Sequence, residues 1–234
     1  IIGKDIYRQL GDKVDGTTVR MPWSDSMREM LKALYSPAEA ELIVRMPYRP
    51  SSLERISKLT GMDERSLRPM LESMCHKGLP FCNRFFEFTM MRTKGELDSA
   101  KWAELFSNYM FGDKSFFEAN FGNDEQISIM RALPHEGTIR NVDHVEVLDY
   151  EKASAMVAQQ DRFAVSLCSC RHEKMHLGEQ KCGIDLETCT SMGEAADFLI
   201  RNNFAREISR SEMDDIMARS REMGFTLTTD NVRE

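Results

Sequence analysis

Residues 163–189 read FAVSLCSCRHEKMHLGEQKCGIDLETC, and this stretch decides the architecture of the C-terminal half. Phe163 to Leu167 is a short apolar run with β-prone residues, which predicts a buried strand that runs straight into Cys168. Cys168, Cys170, Cys182 and Cys189 then fall within 22 residues, with one, eleven and six residues between them. A disulfide framework belongs to oxidising compartments and small secreted chains, so metal or cluster ligation is the expected use of this set. Four thiolates are the full ligand set of an iron-sulfur cluster and equally of a structural zinc. Zinc modules more often show a two-residue gap, whereas one residue separates Cys168 from Cys170, in what reads as a turn leaving the strand. Arg171, His172, Lys174, His176 and Lys181 stand around the thiolates, and cations there would stabilise an anionic cluster. His172 or His176 could also take the place of one cysteine as a ligand.

Working outward, Glu151 to Gln160 reads as a helix before this strand, and Asp143 to Leu148 as another strand. Glu194 to Asn202 follows as a helix with Phe198 and Leu199 inward. Ser209-Arg210-Ser211-Glu212 has capping-box spacing, and Met213, Ile216 and Met217 give the last helix its apolar face until Gly224. Phe225 to Leu227 reads as a closing strand.

In the N-terminal half, a helix is expected over Asp25 to Leu34. Ser36-Pro37 opens the next, with Ser36 as N-cap and Pro37 in the first turn. Leu53, Ile56 and Leu59 mark a short helix that Gly61 ends. Asp63 caps another, in which Leu67, Met70, Leu71 and Met74 share a face, with Pro69 inside it and Gly78 placed to end it. Leu79 to Met90 is β-prone around Asn83-Arg84 and predicts a hairpin. Helix, short helix, turn, helix and hairpin is the order of a winged helix. Asp98 to Phe111 is a further amphipathic helix, and Phe116, Phe117 and Phe121 extend it into an aromatic connector that also suits a homodimer contact.

The expected fold class is therefore α+β, a winged-helix-like domain followed by a small mixed α/β domain carrying the four-cysteine site. The expected divisions are an irregular lead-in over 1–24, the winged-helix-like domain over 25–95, a helical connector over 96–140 and the cysteine-site domain over 141–234.

With 234 residues, 41% hydrophobic and 29% charged, the chain is neither disordered nor membrane-embedded in class. No apolar run approaches the span of a membrane helix and no secretory signal is read, so a cytoplasmic location with no membrane partner is expected. The net charge of -7 argues against a nucleic-acid coat. Arg65, Arg68, Glu64, Glu72 and His76 form a mixed face on the would-be recognition helix, so DNA binding is the lesser expectation. No phosphate-cradling glycine loop, no nucleophile elbow and no His-Glu-x-x-His run are read, which points away from a stand-alone enzyme. Cys75 and Cys82 stand apart from the four and read as small packed residues.

The stretch LCSCRHEKMHLGEQKCGIDLETCTSMGEAADFLIRNNFAREISRSEMDDIMARSREMGFTLTTDNVRE, residues 167–234, resembles a segment of bacterial ferredoxin-type 4Fe-4S iron-sulfur binding domain proteins. LYSPAEAELIVRMPYRPSSLERISKLTGMDERSLRPMLESMCHKGLPF, residues 34–81, is similar to the winged-helix-like region of that family. The resemblance implies a 4Fe-4S cluster on Cys168, Cys170, Cys182 and Cys189, with zinc as the alternative occupant. It implies electron transfer with a redox partner protein docked on the winged helix. A redox- or iron-responsive DNA-binding regulator and a zinc-stabilised interaction module are the alternatives. Family members continue into a two-cluster ferredoxin module with repeated Cys-x-x-Cys motifs. Residues 1–234 hold no such repeat, so this chain is expected to carry the four-cysteine site without that module.

Overall fold

In the computed structural model, residues 5–16, 19–49, 51–77, 98–122, 130–136 and 152–230 are described. They form a mixed α+β protein, mostly helical with two small sheets. The chain divides into two units, one of Ile1–Ile127 with Ser169–Gly183 and one of Ser128–Cys168 with Ile184–Glu234. The helix after Cys168 packs within the first unit.

The first unit opens with α1 (Ile6–Asp15), where an irregular lead-in was expected. Asp5 caps it by accepting from the Tyr7 N–H at 3.0 Å. Gly11 lies inside this helix because a β-carbon there would sit 2.5 Å from the Trp23 ring. Lys13, 9% exposed, donates to the carbonyls of Val44 (3.0 Å) and Met46 and lies over the Tyr48 ring. Its charged end thus meets the C-terminal end of α3 (Pro37–Arg45).

Helix α2 (Asp25–Leu34) buries Met27, Met30, Leu31 and Leu34, and α1 packs on both α2 and α3. The expected cap of α3 is present and reciprocal. Ser36 Oγ accepts from the Glu39 N–H at 3.3 Å, and Glu39 accepts from the Ser36 N–H and hydroxyl, both at 2.8 Å. Helix α4 (Leu53–Thr60) ends at Gly61, whose φ of 72° is the left-handed conformation that favours glycine. Helix α5 (Glu64–His76) is capped by Asp63 and accommodates Pro69 within its length. Helix α4 packs on α3 and α5. The expected hairpin over 79–90 lies outside the described residues, as does Gly78.

Glu39 ties α5 to this group, since the Lys77 ammonium reaches its carboxylate at 2.6 Å. Burial pushes the Glu39 carboxyl up, and Lys77 together with the Ser36 donors outweighs this, so its pKa lies below the ordinary value. A carboxylate with a lowered pKa in the folded state contributes stability that is lost as pH falls through that pKa. Replacing Lys77 with Met is expected to move the onset of acid unfolding to higher pH, as followed by circular dichroism. An unchanged acid transition would contradict this linkage.

Helix α6 (Ser99–Ser107) runs into a π-helical turn at Asn108–Gly112 and then α7 (Lys114–Phe121). Tyr109, fully buried, donates its hydroxyl to the Pro22 carbonyl at 3.1 Å. Asn120 is also fully buried, and its amide accepts from the Arg20 N–H at 2.9 Å and donates to the carbonyls of Arg20 (2.8 Å) and Phe116 (2.9 Å). A buried amide with its groups satisfied in this way holds the segment before α2 against α7.

The second unit has a three-stranded antiparallel sheet in the order β3-β2-β4 and a two-stranded β1-β5 pair. Strands β1 (Met130–Leu133) and β5 (Leu227–Asp230) pair with Leu133 opposite Leu227. The closing strand thus begins at Leu227, two residues later than the expected Phe225. Strand β2 (Phe163–Leu167) is central, between β3 (Glu187–Met192) and β4 (Arg206–Ile208). Helices α8 (Ala153–Ala158), α10 (Gly193–Arg201) and α11 (Arg210–Glu222) complete it. Val157, Phe163, Val165, Ile208, Met213 and Ile216 form its core. The expected strand over 143–148 lies outside the described residues. Helix α9 (Ser169–His176), which packs on α6, belongs to the first unit.

Candidate metal centre

Strand β2 alternates its side chains, so Phe163 and Val165 enter the core while Ala164 and Ser166 face the other side. Cys189 lies directly opposite Ser166 on β3 and therefore shares that second face. A bulge follows between Ser166 and Leu167, after which Leu167 pairs with Glu187. Bulges re-aim the chain at the end of a ladder, and here the bulge stands one residue before Cys168. The Cys168 N–H donates to the Leu186 carbonyl at 2.6 Å, and the Ser166 hydroxyl donates to the Cys189 carbonyl at 3.3 Å. Cys189 therefore lies on the strand paired with β2, and Cys168 directly follows β2, both in the second unit.

Cys170 and Cys182 belong to the first unit. Cys170 sits in the first turn of α9, a correction to the expected turn: the residues after Cys168 are helical at once. The helix ends at Gly178 with φ of 70°, while the N–H groups of Leu177, Gly178 and Glu179 donate back to the carbonyls of Glu173, Met175 and Lys174. Cys182 follows in the connection to β3, where its carbonyl accepts from the Gln180 side-chain amide at 2.6 Å. Cys170 is exposed, and Cys168, Cys182 and Cys189 are half-buried.

The donor set therefore fits an iron-sulfur cluster or a zinc ion in kind: four cysteine side chains, none fully buried. Among the described residues, no group of three or more His, Cys, Asp and Glu side chains is placed to hold a metal ion.

The expected cations have more particular roles. Lys174 pairs with Glu179 at 2.7 Å, a hydrogen bond that raises its pKa, and lies 5.3 Å from the Phe111 ring centre. His172 is buried at 2% exposure on the same face of α9 as Ser169 and Glu173. Its Nε2 stands 3.1 Å from Nε2 of His176.

The expected absence of a His-Glu-x-x-His run is corrected here. Residues 172–176 read His-Glu-Lys-Met-His, the His-Glu-x-x-His spacing that sets two imidazoles on one face of a helix. The run is legible from the residue identities alone, whatever structure the segment is given, and the helix is what sets the two rings on one face.

Cys75 is half-buried on α5, and Cys82 lies outside the described residues. Among the described residues no helix is long and apolar enough to cross a membrane. Comparison with protein-family models, with curated proteins and with solved structures finds no match to this chain.

Proposed function

We propose that this chain binds a 4Fe-4S cluster through Cys168, Cys170, Cys182 and Cys189 and serves as an electron-transfer component rather than a stand-alone catalyst. The observation that carries the reading is the donor set itself, four cysteines within 22 residues, none fully buried. When bound, the cluster would supply one-electron chemistry, and the protein would set its potential and access.

Helices α3, α4 and α5 are consistent with a winged-helix-like unit, which we assign to docking of a redox partner protein. The exposed face of α5 carries Glu64, Arg65, Arg68, Glu72 and His76, a mixed charge that suits a protein surface better than a phosphate backbone. Exposed Phe111 (67%) and Phe117 (60%) in the connector suit a homodimer contact. Cysteines used in such a number as ligands rather than as disulfides suit a reducing compartment, so the proposed location is the cytoplasm.

Electron paramagnetic resonance tests the redox role. Anaerobic protein is expected to be silent as purified and to gain a signal of about one unpaired electron per chain on reduction. A zinc-loaded chain would stay silent in both states and would turn the site into a structural one.

A further inference from the structure

Helix α9 carries a second arrangement that a metal ion can use. His172 and His176 lie four residues apart on one helix, with Nε2 atoms at 3.1 Å and ring centres at 4.8 Å. Two imidazole nitrogens on one zinc, each about 2.0–2.1 Å from it, stand about 3.3 Å apart at a tetrahedral angle and about 2.9 Å apart at a right angle. The observed separation falls between these values. Two neutral imidazoles cannot point bare lone pairs at each other without repulsion. The contact is held either by one N–H donating to the other ring or by a cation that takes both lone pairs. His172 is buried and fixed by its surroundings, whereas His176 is exposed, so the pair is partly preorganised and open to solvent on one side.

We propose that His172 and His176 form a bis-imidazole site for a divalent first-row transition metal, with zinc as the first candidate. Both rings then present Nε2 to the metal and keep their proton on Nδ1, and water fills the remaining positions. The inference concerns binding, and Glu173, 5% exposed, is given no catalytic role. It goes beyond the cluster reading and does not rest on it.

The test uses the full 234-residue chain with Cys168, Cys170, Cys182 and Cys189 all replaced by Ser, so that no thiolate of that set competes. Zinc titration by calorimetry is expected to show one site per chain. Adding His176→Ala is expected to weaken it at least about tenfold. Zinc binding that is absent from both chains, or equal in both, overturns the proposal and leaves a hydrogen-bonded imidazole pair. Circular dichroism shows whether the serine chain folds. If it does not, cluster-loaded chains with and without His176→Ala are compared instead. One zinc beyond the cluster iron, lost with His176, supports the site, and equal zinc content overturns it. Failure of the cluster reading is seen separately, as missing iron and missing visible absorption.

Discussion

Replacing Cys170 with Ser is expected to remove nearly all cluster iron from the anaerobically purified protein. Serine keeps the size of the side chain but replaces the thiolate, and a four-thiolate cluster deprived of one ligand loses the charge and softness that hold iron and sulfide together. Cys170 suits the experiment because it is exposed on the first turn of α9, so the substitution disturbs little packing. Its loss reports on ligation rather than on folding, which the far-ultraviolet spectrum of the variant should confirm. Cys75→Ser is the matched control, since Cys75 sits on α5 outside the proposed ligand set, and its iron content should equal that of the parent. Iron and colour retained by the Cys170 variant would remove this residue from the ligand set.

The second large effect lies in the core of the sheet. Phe163 is 3% exposed and meets Val157, Val165, Ile208, Met213 and Ile216, and through β2 it belongs to the strand that delivers Cys168. Phe163→Ala removes a large ring from a closely packed cluster and leaves a cavity that the surrounding helices and strands fill only partly. The expected cost is about 3–5 kcal/mol, read from urea unfolding. Because typical domains hold only about 5–15 kcal/mol in total, such a loss should also lower cluster loading at 37 °C. A cost below about 1 kcal/mol would mean that the site collapses around the missing ring and that the core is looser than its burial indicates.

The regular helices were legible because local chemistry and burial agree in them. Ser36, Ser52, Asp63 and Ser209 cap helices whose apolar residues recur at helical spacing, and Gly61 takes the left-handed conformation that ends one. Strand β2 was legible for the same reason, as a short apolar run with both faces covered. The α+β class follows from these elements.

The rest was hidden where burial is polar. Helix α1 buries Lys13 and Gly11 beside Leu10, so its inward face does not look apolar, and the reason lies in Trp23 beside Gly11 and in carbonyl partners of Lys13 more than 30 residues away. Helix α9 buries Ser169, His172 and Glu173, a face with no hydrophobic periodicity at all. The His172 to His176 run, by contrast, is legible from the residues alone, and its expected absence was wrong. Strand β3 is made of Thr, Ser, Cys, Glu and Met, and β4 has three residues, so neither carries a strong strand pattern, and both depend on pairing with β2. The spacing of the four cysteines is a matter of sequence, whereas their places on β3, on α9 and in the segments between required the fold.

The central claim is tested most directly by the ultraviolet-visible spectrum of protein purified without oxygen, taken together with iron, sulfide and zinc analysis. A broad band at about 400 nm that bleaches on reduction, with about four irons and four sulfides per chain, is the result expected of the proposed four-thiolate site. A colourless protein with zinc and no iron would contradict the electron-transfer reading and make the cysteine set a structural zinc site.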